Sequence, residues 1–164
     1  MSFINLNHLN KMGIEDSAVA KGDPVKQFSL MLENRIGAMH SMIKLLNDSK
    51  VHVLGFSIQD SFDVTILRLV VSDPELTETL FIEKGIPYVV NEIVVIQLSE
   101  GAASLGPCLA TLSVAETNIH TSYPLNVSNE GWTLVALSVE DADFASTALQ
   151  NGGFKLLFQS DLSR

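Results

Sequence analysis

His52 and His120 stand 68 residues apart (120 − 52), at matching places in two similarly patterned segments. A symmetric pair of imidazoles is the beginning of a metal site. Protein metal sites of this kind take three or four ligands, and the chain holds 4 His and 1 Cys, with none of the others clustered beside this pair. Solvated or interface histidines are therefore expected, with no metal and no other cofactor. Cys108 falls on the apolar stripe of its segment, where a thiol is buried and inert; a nucleophile needs an electropositive, partly open setting. No nucleophile elbow, phosphate loop or His-Glu-x-x-His string occurs. Gly101 to Gly106 lacks the Lys-Ser/Thr ending that grips a phosphate, and Arg35 stands alone as a candidate for a glycine-rich anion loop. The chain reads as a non-enzyme. Met31, Met39 and Met42 are expected to fill a core. Trp132, at a strand start, reads as packing, with an aromatic ligand wall as the other use of such a residue.

Composition narrows the classes further. In 164 residues, 10 Lys plus Arg against 19 Asp plus Glu leave a net charge of −9, a poor match for nucleic acid or an anionic membrane surface. Apolar residues make up 46% and charged residues 18%, enough to bury a core and unlike a disordered chain. One cysteine excludes an intrachain disulfide framework and fits a reducing compartment. No stretch approaches the roughly 20 apolar residues of a bilayer span, and the opening residues lack a signal-peptide pattern. A cytoplasmic protein is expected.

The elements that must position any site follow a clear order. Residues 1–24 form an N-terminal arm, closed by turn chemistry at Lys21-Gly22-Asp23-Pro24. Phe3, Ile4, Leu6, Leu9 and Met12 suit either an amphipathic segment docked on a partner or a loose tail. Val25–Leu32 alternates as a strand, and Gly37 opens a helix with Met39, Met42, Ile43 and Leu46 on one stripe. Segments 51–59 and 64–71 form a hairpin through Asp60-Ser61-Phe62-Asp63. Asp73-Pro74 caps a second helix, with Leu76 and Leu80 facing inward, Gly85 ends it, and 86–90 is a fourth strand.

The same β-α-β-β-α-β order then recurs. It runs through strand 93–98, helix 105–116 with Leu105, Cys108, Leu109 and Leu112 on one stripe, and hairpin 119–125/132–139. A helix capped by Asp141, with Phe144, Ala145, Ala148 and Leu149 inside, and strand 154–158 complete it. A shift of 68 aligns 51–90 with 119–158 without a gap, pairing Asp73 with Asp141, Thr79 with Thr147 and Gly85 with Gly153. Gly37 pairs with Gly106 at a shift of 69 (106 − 37). The chain is thus a duplicated unit. The fold class is α+β: two ferredoxin-like βαββαβ modules at 25–91 and 92–164, each an antiparallel sheet with its helices on one face. A short link at Asn91-Glu92 lets them lie edge to edge as one larger sheet, and the second face of each sheet is expected to be partly buried.

The run Gln27–Gly37 resembles the first strand and glycine-bearing loop of an ACT domain. So do Val51–Asp60 and Ile66–Pro74, while Thr117-Asn118-Ile119-His120, with Tyr123 soon after, resembles the partner domain of stand-alone tandem ACT proteins. The resemblance covers about residues 25–160. It implies a small regulatory module that binds an amino acid at interfaces between neighbouring domains, usually as a homodimer or larger assembly, and that can act on a regulated enzyme.

Physical chemistry suggests how such a ligand is held. A helix start offers free N–H groups and the positive end of its dipole, so the amides of Gly37, Ala38 and Met39, next to Ile36, are candidates to cradle a carboxylate. Asn34 can hold either end of the ligand. Ser57, Gln59 and Asp60, reaching in from a neighbouring module, offer acceptors for an ammonium. The other reading of Asn34 and Gly37 is a tight turn ahead of a helix. The sequence departs from the family where Ile36 replaces the usual proline. In the second loop, Ser104 and Gly106 occupy the corresponding place without an asparagine, and Pro107 removes an N–H. The first loop is expected to bind, and the second to be weakened or structural. The alternative function is a non-catalytic dimerisation or interaction module with a vestigial pocket.

Overall fold

The computed structural model describes residues 22–33, 35–61, 64–129 and 132–163. The proposed arm, apart from its last residues, and the tip of the first hairpin lie outside them. Strand β1 (Val25–Leu32) leads to helix α1 (Ala38–Asp48), hairpin β2 (Val53–Ser61) and β3 (Val64–Val71), helix α2 (Pro74–Lys84) and strand β4 (Tyr88–Leu98). Helix α3 (Leu105–Val114), hairpin β5 (Ile119–Asn129) and β6 (Trp132–Val139), helix α4 (Ala142–Asn151) and β7 (Lys155–Leu157) repeat the order, and a short helix α5 (Gln159–Leu162) follows.

The duplication is visible in chemical detail. Asp73 and Asp141 each accept a hydrogen bond from the third residue of their helix, Leu76 and Phe144, at 2.9 Å. Thr79 and Thr147 each donate to the carbonyl four residues back at 3.0 Å. Gly85 and Gly153 both take the left-handed conformation that ends a helix, at φ 64° and 84°. Gly37 and Gly106 are not equivalent. Gly37 precedes α1 at φ 85°, whereas Gly106 is the second residue of α3, entered through a 3-10 turn at Gly101–Ser104 whose left-handed glycine is Gly101.

Where two strands and a link were expected, β4 runs unbroken through Asn91 and Glu92, which pair with Gln27 and Lys26 of β1. Its first half is the outer strand of module 1. Its second half is an inner strand of module 2, between β6 and β7. The polar side chains interrupt the apolar run without any turn residue to interrupt the backbone. One hydrogen-bonded path, β2-β3-β1-β4-β6-β5, results.

Strand alternation then assigns three cores. Phe28, Leu30, Leu67 and Leu69 pack under α1 and α2 with Met42, Leu46 and Phe81. Ile96, Leu137, Cys108, Leu112 and Leu149 form the counterpart under α3 and α4. The helix-free faces meet in a third core, with Val25, Val70 and Ile93 against Tyr123, Leu125, Leu134 and Ala136, so the expected burial of the second face is present. The path curls until its ends meet. A Cβ on Gly55 of β2 would stand 2.4 Å from Leu125 Cδ2 and 3.3 Å from Leu125 Cα on β5, so only a residue without a side chain permits this approach. Gln159 ties the C-terminus back, accepting from the Lys26 N–H at 3.2 Å and donating to the Val71 carbonyl at 3.3 Å.

Some inward assignments shift. Leu76 is 40% and Phe144 53% exposed, because the buried stripe of each helix passes through the next residue instead, Thr77 (with Pro74 one turn earlier) and Ala145. In α3 only Cys108 and Leu112 are buried, with Leu105 and Leu109 at the margin. Met31 is not core: it is 76% exposed on the helix-free face, past the cover of the opposing sheet.

Candidate functional site

The predicted helix start is open. Gly37 adopts a left-handed conformation, and among the described residues no side chain caps α1 and nothing lies within 4 Å of where a Gly37 Cβ would be. Ile36 is exposed, and Asn34 falls outside the described residues. The expected trio of amides is reduced, because the Ala38 N–H already donates to the Arg35 carbonyl at 3.2 Å. Met39 packs partly against the module 1 core.

Register places Asp60 of β2 at the end of the sheet where the first loop leaves β1. Asp60 pairs with Thr65, and Thr65 with Leu32, the last residue before the loop. Ser57 lies opposite Arg68. Gln59 Oε1 accepts from Arg68 Nη2 at 3.1 Å, and Asp60 Oδ1 from Thr65 Oγ1 at 3.4 Å. Asp60 thus lies at the end of the sheet from which the first loop leaves, with β3 between β2 and β1, and Ser57 lies nearer the middle of the strands. In the second loop Ser104 is buried and its Oγ accepts from the Glu100 N–H at 3.0 Å. With Gly106 inside α3, that loop has local structural bonds.

A second feature lies between the modules. A cavity of about 580 Å³ opens on the helix-free face, with Gln27, Ser29 and Arg68 from module 1 and His120, Thr121 and Ser138 from module 2. Met31, Ile66 and Val89 give it an apolar wall. None of the described residues expected to bind ligand lines it, but Gln59 touches it through Arg68. Gln27 is fully buried, and its Oε1 accepts from the Tyr123 hydroxyl at 2.7 Å, a bond between modules. Burial pushes the Tyr123 phenol well above its ordinary range, with the Arg68 charge pulling weakly the other way. Elsewhere, burial raises the Cys108 thiol. The Glu78 carboxylate, 3.0 Å from Lys26 Nζ, raises that ammonium through their hydrogen bond.

Sequence reasoning registered Arg68 only as the charged exception in an apolar strand. That interruption was the available signal. At a shift of 68 its counterpart is Ala136, fully buried in the core between the sheets. No group of three or more His, Cys, Asp or Glu suited to a metal occurs among the described residues, and none of their helices is long and apolar enough to cross a membrane.

Comparison with known proteins bears directly on the fold. A structure from Bacteroides thetaiotaomicron superposes with a TM-score of 0.77 at 24% identity, covering 86% of this chain and 96% of that one. The regulatory subunit of aspartate kinase from Thermus thermophilus gives 0.55 at 12% identity, covering 79% and 93%. That from Thermus flavus gives 0.51 at 16%, covering 80% and 94%. No curated protein matches the sequence. The family model for the ACT domain pair matches residues 24–162, and the duplicated modules sharing β4 are that pair: the chain belongs to the ACT domain pair family.

Proposed function

We propose that this chain is a regulatory sensor that binds a small amino acid where its two modules meet, the halves 25–91 and 92–164 contributing one wall each. Family membership supports a ligand-binding regulatory role. The observation that carries the interface reading is the cavity of about 580 Å³ lined from both modules. Its volume falls within the range of about 300–1,000 Å³ common for small-molecule sites. The open start of α1 and the Gln59–Arg68 contact lie along the same module and offer further polar groups. The working form is a cytoplasmic homodimer that passes its occupancy to a regulated enzyme.

Thermal unfolding against the twenty amino acids tests this. A ligand bound only by the native state stabilises it by mass action, by about 2.7 kcal/mol at a hundredfold excess over Kd, and so raises Tm. A shift with one chemical class of amino acid is the expected result. A flat response across the panel overturns the sensor reading in favour of an interaction module with a vestigial pocket.

A further inference from the structure

We infer that Arg68 makes the cavity between the modules a carboxylate site, selective for a small aliphatic acid and indifferent to an amino group; this rests on the cavity being the ligand site. Three observations converge. Arg68 lines the cavity and its guanidinium has donors to spare: Nη2 serves Gln59, while buried Nη1 has no partner among the described residues. A guanidinium has five N–H donors in a fork that matches a carboxylate, and an unpartnered buried charged group is costly. Thr121 Oγ1, of the module 2 wall, is also buried without a partner among the described residues.

Charge balance sets the selectivity. Among the described residues no Asp or Glu lines the cavity, so none of them there neutralises Arg68 or offers an ammonium a charged acceptor. An anion restores neutrality at the site; a cation is repelled. Met31, Ile66 and Val89 then receive an apolar body. The contrast within the duplication points the same way. At the position of Arg68, module 2 has Ala136 packed in the core between the sheets. A charge whose only hydrogen bond among the described residues is to a neutral amide does little for that core, and its use is toward a ligand.

The test is calorimetric titration of the full chain with leucine, 4-methylpentanoate (leucine without its amine) and 3-methylbutylamine (leucine without its carboxylate). Leucine and the acid are expected to bind with similar affinity and the amine not at all. Arg68→Met should weaken the acid by about ten- to a hundredfold, the range of a charge-assisted hydrogen bond. Arg68→Lys, which keeps the charge and loses the fork, should fall between, and serves if the methionine variant does not fold. Thr121→Val should weaken the acid less than either. Equal binding of the acid to wild type and the Arg68 variants, binding of the amine as tight as the acid, or no binding of any probe overturns the inference. Binding of the acid without leucine, lost in Arg68→Met, overturns the amino-acid reading and the indifference to an amino group but keeps Arg68 as the carboxylate site; an amino acid bound independently of Arg68 overturns this inference and keeps the amino-acid reading.

Discussion

The hydroxyl of Tyr123, on β5, donates to Oε1 of Gln27, on β1, across 2.7 Å in a fully buried setting. A polar bond thereby closes the apolar core between the sheets at the edge of the cavity. Tyr123→Phe leaves the Gln27 oxygen without its donor. A loss of about 1–3 kcal/mol is expected, read by urea denaturation.

The same phenol gives a pH dependence with a definite sign. Its native pKa lies above that of the unfolded chain because burial disfavours phenolate. Its contribution is therefore complete below about pH 10, the unfolded phenol value, and is lost as pH rises from there toward the native value. The limiting slope is about 1.4 kcal/mol per pH unit for one proton. Wild-type stability minus that of Tyr123→Phe, followed from pH 8 upward, should shrink above about pH 10; a difference constant to higher pH contradicts the assignment.

Gly55→Ala tests the meeting of β2 and β5. Leu125 Cδ2 can swing away from the new Cβ at 2.4 Å, but its Cα at 3.3 Å cannot without moving the strand. Overpacking of this kind costs about 1–3 kcal/mol. Gly55→Val should cost more than alanine, and equal stability of all three proteins would mean that the strands do not approach as described.

The two aspartate caps are matched tests of the duplication. Asp73→Ala and Asp141→Ala each remove a 2.9 Å acceptor from a helix start. Each should destabilise by about 0.5–2 kcal/mol, and because β4 belongs to both modules each variant should still melt in one transition. Two resolved transitions by calorimetry would show separable halves.

Cys108 is fully buried and its thiol pKa is raised by burial. Native protein should resist a disulfide reagent at pH 8 and react promptly in denaturant, since the thiolate is the nucleophile. Prompt native reaction would contradict its place under α3.

Local signals in the sequence were legible because local physics determines them. Aspartate caps, left-handed helix-ending glycines and period-two strands are specified within a few residues, so both modules and their element order followed. Three features were not. Asn91 and Glu92 looked like a link because polarity and chain reversal often coincide, yet their backbone groups pair with β1. Leu76 and Phe144 looked buried because periodicity does not tell to the residue which stripe of a helix meets the sheet. The cavity itself depends on β5 and β6 folding back across β1 and β3, which no spacing records; Arg68 was visible, its surroundings were not. The helix-start residues were legible as an open loop, and Gln59 proved adjacent to the cavity only through its hydrogen bond to Arg68.

A shared strand also limits how such a protein can signal. With β4 threaded through both sheets, the halves have no flexible joint about which to swing apart. Strain placed on this common spar at either end is carried by one continuous backbone into the sheet at the other.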